Sequence, residues 1–152
     1  MVAEDRDNAI NIKITTEHGM PLPEYKTPGS SGLDVRAVRG GVIKAGKWAV
    51  ISTGLHVEIP DGYEIQVRSR SGLAFKQGVF VMNSPGTIDS DYRGEIKIIL
   101  ANFSENDFVV RREDRVAQLV VSKVEKAKFI PVENISDTMR GIGGFGHTGI
   151  DG

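Results

Sequence analysis

The segment at 83–95 reads NSPGTIDSDYRGE and brings two carboxylates and a phenol ring within a few residues of each other. Asp89 or Asp91 could deprotonate water if the fold positions the carboxylate and partly removes it from solvent. Tyr92 could stack on a sugar or a base. Because Asp, Ser and Gly also favour turns for conformational reasons, the segment alone leaves a catalytic loop and an ordinary turn as alternatives.

The stretch Arg70-Ser71-Gly72 is a candidate anion site. It lies at the start of a possible short helix over residues 71–77, which Ser71 could cap. Backbone N–H groups at the start of a helix point outward and bind anions, and Arg70 adds a positive charge. Since helix starts bind anions without being selected for it, a polar strand end with a helix cap is the alternative.

Two further polar residues lie in or beside apolar strand patterns. Asp34, in the stretch SSGLDV, is either a surface carboxylate or an outer-sphere partner of a hydrated magnesium ion. Gln118 lies between apolar neighbours, where strand alternation alone would place a polar side chain on the opposite face. Neither residue by itself distinguishes a binding site from a solvated strand.

The stretch at 140–149 is rich in glycine but contains Arg140, a lone Phe145 and Thr148. These side chains could close over a nucleotide, with the ring on the base and the polar groups on phosphate. A solvated linker is the alternative that the composition favours. The G-x-G-x-x-G pattern at 141–146 lacks the helix and the βαβ unit of a dinucleotide site, so that interpretation is rejected.

Short strands must position these segments, because apolar residues mostly alternate with polar ones along the chain. We predict an all-β fold: a jelly-roll-like β-sandwich or barrel of short strands, with one short helix and a flexible glycine-rich C-terminal lid. One domain is expected over 1–152, with 1–9 disordered and 140–152 as the mobile lid. The predicted strands lie at 10–14, 55–59, 63–67, 96–100, 116–121 and 129–132.

Composition excludes several classes of function. The chain has 152 residues, a net charge of −1 and no cysteine, so thiolate catalysis, disulfides and cysteine–zinc sites are excluded. The near-zero charge gives no global field for nucleic acid or an anionic membrane. No apolar run approaches the roughly 20 residues of a membrane span, and we expect a cytoplasmic protein that binds neither.

Together, in this order and at these separations, the segments closely resemble the five signature segments of the trimeric deoxyuridine triphosphatases. The resemblance covers nearly the whole chain, and the segment at 83–95 is highly specific. The matching stretches are SSGLDV around 31–35, RSGLA at 70–74, NSPGTIDSDYRGE at 83–95, RVAQLV at 115–120 and RGIGGFGHTG at 140–149.

By this resemblance, Asp89 is the general base that activates the attacking water, and Asp34 orients water bound to Mg²⁺. Tyr92 is the ring beneath the deoxyribose and disfavours a 2′-hydroxyl. A hairpin reads uracil as a base pair would and leaves no room for a 5-methyl group. The residues matching that hairpin are Asn83, Gly86, Thr87 and Ile88.

The resemblance also assigns the phosphates and the lid. The triphosphate contacts match Arg70, Ser71, Gly72 and Gln118. The lid ring over uracil matches Phe145, with Gly146 next in the chain, and the terminal phosphate is reached by Arg140, His147 and Thr148.

Two departures from the family pattern bear on local structure. His147 stands where many members carry serine, although an imidazole still donates to phosphate. Glu113 precedes Asp114 where many members have glycine, and we expect a local difference in the turn.

The implied reaction is hydrolysis of dUTP to dUMP and pyrophosphate by Mg²⁺-assisted attack of water on the α-phosphate. It removes dUTP and supplies dUMP for thymidylate synthesis. The resemblance also implies a homotrimer whose sites are shared between subunits. The alternatives are a dCTP deaminase or a bifunctional deaminase–hydrolase on the same fold, and a catalytically idle nucleotide sensor or protein-binding module.

Overall fold

The structure is a computed structural model that describes residues 9–17 and 19–145. Within these ranges the chain forms short strands and one short helix, as the alternation predicts. The elements are β1 (Lys13–Thr16), β2 (Glu24–Tyr25), β3 (Leu33–Arg36), β4 (Gly41–Ile43), β5 (Trp48–Glu58), β6 (Tyr63–Arg68), α1 (Ser71–Gln77), β7 (Val79–Val81), β8 (Gly86–Ile88), β9 (Ile96–Asn102), β10 (Phe108–Val110) and β11 (Arg115–Lys123).

The strands pair antiparallel in three sheets. A four-stranded sheet has the order β1-β5-β9-β7, a five-stranded sheet has the order β2-β3-β11-β6-β8, and β10 pairs with β4. One hydrophobic cluster takes its buried side chains from all three sheets, which makes the fold a sandwich. The predicted all-β, jelly-roll-like fold with one short helix is therefore confirmed.

Period-two burial explains why these segments form strands. In β9, Ile96, Ile98 and Leu100 are buried, while Lys97 between them is exposed. Successive side chains of a strand point to opposite faces of its sheet, so alternation places one apolar row in the core. Backbone pairing holds β6 and β11 side by side, and those two strands carry or adjoin Arg70, Ser71, Gly72 and Gln118, which are predicted to bind phosphate.

Two local predictions were wrong. Ser71 is the first helical residue rather than the cap: Arg70 takes the cap position in extended conformation (φ −88°, ψ 124°) and makes no side-chain cap hydrogen bond. The chain leaves β6 still extended, so the non-helical position falls one residue earlier. The segment at 129–132 forms no strand, because no sheet edge of the same copy pairs with it, and Phe129 is 91% exposed.

The segment at 124–139, called here the C-terminal arm, follows β11 without helix or strand. It exposes the apolar side chains of Phe129, Ile130, Val132, Ile135 and Met139. Large exposed apolar groups clustered on one segment are typical of a surface that another molecule covers.

None of the described residues belongs to a helix with the length and apolar composition needed to span a bilayer. The predicted disorder at 1–9 falls, apart from Ala9, outside the described residues. The part of the predicted lid beyond Phe145 also lies outside them.

Candidate active site

Strand register brings four polar residues into one group at one end of the five-stranded sheet. Gln118 of β11 lies opposite Asp34 of β3 on one side and opposite Arg68 of β6 on the other. Arg70 follows β6, and Arg115 begins β11. We call Asp34, Arg70, Arg115 and Gln118 the arginine cluster.

Within this cluster, Asp34 is held by two guanidinium groups. Its Oδ1 lies 3.2 Å from Nε of Arg70, and its Oδ2 accepts a hydrogen bond of 3.0 Å from Nη1 of Arg115. Arg70 also donates to the backbone carbonyl oxygen of Arg115 at 3.0 Å. The Asp34 side chain is only 15% exposed, and such a carboxylate requires partners of opposite charge. The network fixes Asp34 and Arg70 relative to each other.

Gln118 is fixed by a hydrogen bond and by a glycine. Its Nε2 donates to the backbone carbonyl oxygen of Ser69 at 2.9 Å. A Cβ atom on Gly32 would lie 2.2 Å from Oε1 of Gln118, so a side chain at position 32 would displace the Gln118 amide. The amide of Gln118 therefore lies beside the start of α1, where Ser71 and Gly72 are exposed.

The first helical N–H groups complete the polar surface at this end. Leu73 and Ala74 donate their N–H groups to the carbonyl oxygen of Arg70. The N–H groups of Ser71 and Gly72 precede them and have no carbonyl within the helix to bind. With Arg70 beside them, they form a site suited to an anion.

A second group lies on β8 and on the loop that follows it, at 89–95. In β8, Gly86 and Ile88 pair with Val67 and Ile65 of β6, and the side chain of Thr87 points outward between them. Ile88 turns its side chain into the core, so its outward groups are those of the backbone.

Asn83 packs directly against β8. A Cβ atom on Gly86 would come within 3.2 Å of Nδ2 of Asn83 and of Cβ of Val67. A larger residue at 86 would require the Asn83 amide or the Val67 side chain to shift by a few tenths of an ångström. Glycine at this position thus keeps the amide beside the backbone of β8.

Tyr92 is oriented within the loop that follows β8. Its backbone N–H donates to the carbonyl oxygen of Asp89 at 3.1 Å, and its hydroxyl donates to the carbonyl oxygen of Glu95 at 3.0 Å. The ring lies over Gly94, on which a Cβ atom would be 2.3 Å from the Tyr92 hydroxyl oxygen. Asp89 is exposed beside it, so a carboxylate and a fixed ring face solvent together.

These two groups lie at opposite ends of β6 in a single copy. Ile88 pairs with Ile65, which places Asp89 level with Glu64, whereas Arg70 lies six residues further along the chain. At about 3.3 Å per residue, the separation of Asp89 and Arg70 along the strand direction is roughly 20 Å. Among the described residues, no hydrogen bond or ion pair joins the two groups.

No hydrogen bond or ion pair joins the described part of the lid to either group. Nε of Arg140 donates to the carbonyl oxygen of Gly143 at 2.8 Å, and Phe145 is fully exposed with φ 52°. Gly146, His147 and Thr148 lie outside the described residues, so their predicted roles remain predictions.

One exposed ion pair borders the arginine cluster. Glu24 of β2 lies opposite Asp34, and a hydrogen bond from the ammonium of Lys26 holds the pKa of Glu24 below its ordinary value. In the described ranges, no group of three or more His, Cys, Asp or Glu side chains is arranged to hold a metal ion.

The turn before β11 accommodates the departure at Glu113 without glycine. Glu113 has φ 70°, in the left-handed region that favours glycine and costs other residues roughly 1–2 kcal/mol. The Glu113 N–H donates to the carbonyl oxygen of Ala37, and the Glu113 carbonyl oxygen accepts a hydrogen bond from Nη1 of Arg36, each at 2.8 Å. These bonds hold the turn that leads into Arg115.

Sequence reasoning missed three residues that shape the site: Arg115, Gly32 and Glu95. Arg115 and Glu95 lie inside segments that match the family, and that position could have marked them as site residues. Their contacts could not be predicted, because Arg115 binds Asp34 and Glu95 binds Gly54, which are far away in sequence. Gly32 precedes Asp34 by two residues, and its close approach to Gln118 depends on the pairing of β3 with β11.

A family model described as dUTPase matches residues 18–149 of this chain. The chain belongs to the dUTPase family. Its resemblance to that family, inferred above from five segments, is therefore confirmed.

Curated relatives at high identity agree with this membership. Deoxyuridine 5′-triphosphate nucleotidohydrolase of Chlamydia muridarum is 58% identical over 136 residues, covering 88% of this chain and 94% of the relative. The protein of the same name from Fusobacterium nucleatum is 47% identical over 142 residues, covering 92% and 97%.

Solved dUTPase structures share the fold. The dUTPase of Staphylococcus bacteriophage 80alpha, solved with dUPNHPP, has a TM-score of 0.85 at 24% identity and covers 92% of this chain and 99% of its own. A mutant dUTPase of phage phi11 of S. aureus, whose study describes a structural Mg(II) ion, has a TM-score of 0.75 at 22% identity, covering 82% and 97%.

Proposed function

We propose that this chain hydrolyses dUTP to dUMP and pyrophosphate at sites shared between the subunits of a homotrimer. The observation that carries the reaction is the exposed Asp89 carboxylate beside the fixed ring of Tyr92, in a member of the dUTPase family. The reaction removes dUTP and yields dUMP, the precursor for thymidylate synthesis.

Asp89 takes the proton from the water that attacks the α-phosphate. A carboxylate acts as general base when it lies within hydrogen-bond reach of that water. Tyr92 lies beneath the deoxyribose, where its ring leaves no room for a 2′-hydroxyl. Asn83 and the backbone of β8 bind the uracil edge, and a wrong base would leave their polar groups unpaired.

The start of α1 and the arginine cluster bind the triphosphate. Arg70 supplies charge, Ser71 a hydroxyl, and Gly72 a backbone N–H close to a phosphate oxygen. Gln118 donates from the neighbouring strand. Groups fixed before the reaction stabilise the developing charge on the phosphoryl oxygens without reorganising.

The residues present fit a magnesium ion that arrives on the nucleotide. Such an ion would supply neutralisation of the negative charge of the triphosphate. Asp34 accepts one hydrogen bond on Oδ2 from Arg115 and forms an ion pair with Arg70 through Oδ1, and an ionised carboxylate has about four acceptor sites. Asp34 therefore retains acceptor capacity for the hydrogens of metal-bound water, as an outer-sphere partner requires.

The length of β6 supports sites shared between copies. A phosphate oxygen binds a residue only within about 3 Å, whereas Asp89 and Arg70 of one copy are separated by roughly 20 Å along the strand. One α-phosphate cannot reach both from the same copy. A neighbouring copy can supply the base while this one supplies the phosphate contacts, and the lid joins from another neighbour.

Exposed apolar surface supports the same assembly. Besides the C-terminal arm, the outer face of β5 exposes more than half of Trp48 and Val50. Ala101 and Ile99 lie beside them on β9. An apolar face and an apolar arm on one chain are suited to burial against other copies.

Substrate choice is the direct test of this proposal. We expect rapid pyrophosphate release from dUTP and far slower release from dTTP, dCTP and UTP, because the hairpin and Tyr92 select base and sugar. Hydrolysis of dTTP at a comparable rate would contradict the role of the hairpin. Ammonia release from dCTP would favour a deaminase, and dUTP binding without hydrolysis would favour an idle sensor.

Sharing of the sites is tested by mixing two inactive chains. Chains with Asp89→Asn and chains ending after Met139 are refolded together in equal amounts. About three quarters of randomly assembled trimers are then mixed, and each mixed trimer has about one intact site in three. We therefore expect recovery of about one quarter of wild-type activity. If base and lid came from the same chain, no mixture would recover activity. Native mass spectrometry must confirm that mixed trimers form.

A further inference from the structure

The side chain of Glu95 connects the loop at 89–95 to strand β5 by a hydrogen bond. Its Oε1 accepts a hydrogen bond of 3.0 Å from the backbone N–H of Gly54. The Glu95 side chain is only 19% exposed, and Nζ of Lys97 lies 3.7 Å from its other oxygen. A hydrogen bond from an N–H to a carboxylate is stronger than one between neutral groups, so this contact restrains the position of Glu95 relative to β5.

An irregularity in β5 presents the N–H of Gly54 to that carboxylate. Ser52 pairs with Lys97 and Leu55 with Ile96, so two extra residues bulge out of β5 between these pairs. Gly54 has φ 70°, and a Cβ atom there would lie 3.0 Å from Cβ of Glu17. Bulges that re-aim a backbone group next to a functional loop are a recurrent device in sheets.

The main chain of Glu95 in turn holds the ring of Tyr92. The Tyr92 hydroxyl donates to the Glu95 carbonyl oxygen at 3.0 Å, and the ring lies over Gly94. The position of the ring therefore depends on where Glu95 is fastened. The Glu95 carboxylate binds the backbone of β5, whereas the Tyr92 hydroxyl donates to the Glu95 main chain, so the side chain acts on the ring through its own backbone.

We propose that Glu95 is a positioning residue for Tyr92 and thereby sets the discrimination between 2′-deoxyribose and ribose. This inference rests on the proposed function. A ring excludes a hydroxyl group only while it lies within contact distance of C2′, and displacements of about 1 Å at such positions have large effects on rate. Loss of the hydrogen bond between Glu95 and Gly54 therefore raises kcat/KM for UTP relative to kcat/KM for dUTP.

The test compares Glu95→Ala, Glu95→Asp and Glu95→Gln. Ala removes the acceptor, and Asp keeps the charge but is too short to reach Gly54. In both we expect the ratio of kcat/KM for dUTP to that for UTP to fall about tenfold or more, with faster hydrogen exchange at the Gly54 amide. Gln keeps an oxygen at the same place and should stay within about threefold of the wild-type ratio.

Two further variants separate this role from general stability. Lys97→Ala removes the other contact of the Glu95 carboxylate and should leave the ratio unchanged. Gly94→Ala displaces the ring without touching the carboxylate and should reproduce the loss of discrimination. If Glu95→Ala does not fold, the Asp variant carries the comparison.

An unchanged ratio of kcat/KM for dUTP to that for UTP in Glu95→Ala or Glu95→Asp, with faster exchange at Gly54, would overturn the proposal. The hydrogen bond between Glu95 and Gly54 would then have a structural role only. The ratio of affinities for dUDP and UDP gives the same comparison without hydrolysis. A wild-type protein that does not hydrolyse dUTP would instead overturn the proposed function, and the affinity ratio would still decide the role of Glu95.

Discussion

Asp89→Asn is expected to lower turnover of dUTP by about 100- to 10,000-fold, the range that a general base contributes. The amide keeps the size and shape of the side chain but cannot accept the proton of the attacking water. Affinity for dUTP and the melting temperature should change little, because Asp89 is exposed and outside the core. Steady-state pyrophosphate release and calorimetric titration with a non-hydrolysable dUTP analogue measure the two effects separately.

The matched control for this prediction is Asp91→Asn. Asp91 is a carboxylate in the same loop, two residues further on, and is also exposed. It should keep nearly wild-type turnover. Turnover of Asp89→Asn within a few-fold of wild type, or an equal loss in both variants, would exclude Asp89 as the specific base.

Ending the chain after Met139 should lower turnover by about 100-fold or more while leaving the melting temperature nearly unchanged. A closing segment excludes water and completes the site, and losses of positioning have this size. The described residues removed by this truncation include Ile142 and Phe145, both fully exposed, so little buried surface is lost. Turnover and thermal unfolding on the same preparations check both expectations.

Phe145→Ala is the narrower version of the same test. It removes the ring and keeps the backbone and the polar residues of the lid. We expect a smaller loss than truncation produces, mostly in binding of dUTP. A truncated protein with normal turnover would show that the glycine-rich end is only a linker.

Strand alternation was enough to predict the fold class, because burial of one face is a local property of each strand. The buried apolar positions of β6 and β9 illustrate this, since the sequence alternation predicts them without knowledge of the neighbouring strands. The helix over residues 71–77 was also readable, although its N-cap was not. Its cap depends on how far β6 stays extended, which pairing with β11 decides.

Features that depend on distant partners could not be read from the sequence. The bulge at Gly54 exists because β5 must pair with β9 in two registers, and nothing near Gly54 in the chain indicates this. The segment at 129–132 has the apolar content of a strand but finds no partner edge in its own copy. Arg115 was visible only as part of a motif, since its contact with Asp34 joins strands that are far apart in sequence.

The separation of Asp89 and Arg70 along β6 has a consequence for mixed populations of chains. If neighbouring copies complete each other's sites, a chain damaged at both ends of β6 spoils one site with its loop and another with its arginine cluster. One such chain in a trimer would then silence two of the sites and leave at most one. Each defective chain would therefore inactivate sites to which intact chains also contribute. Activity would fall faster than the fraction of intact chains.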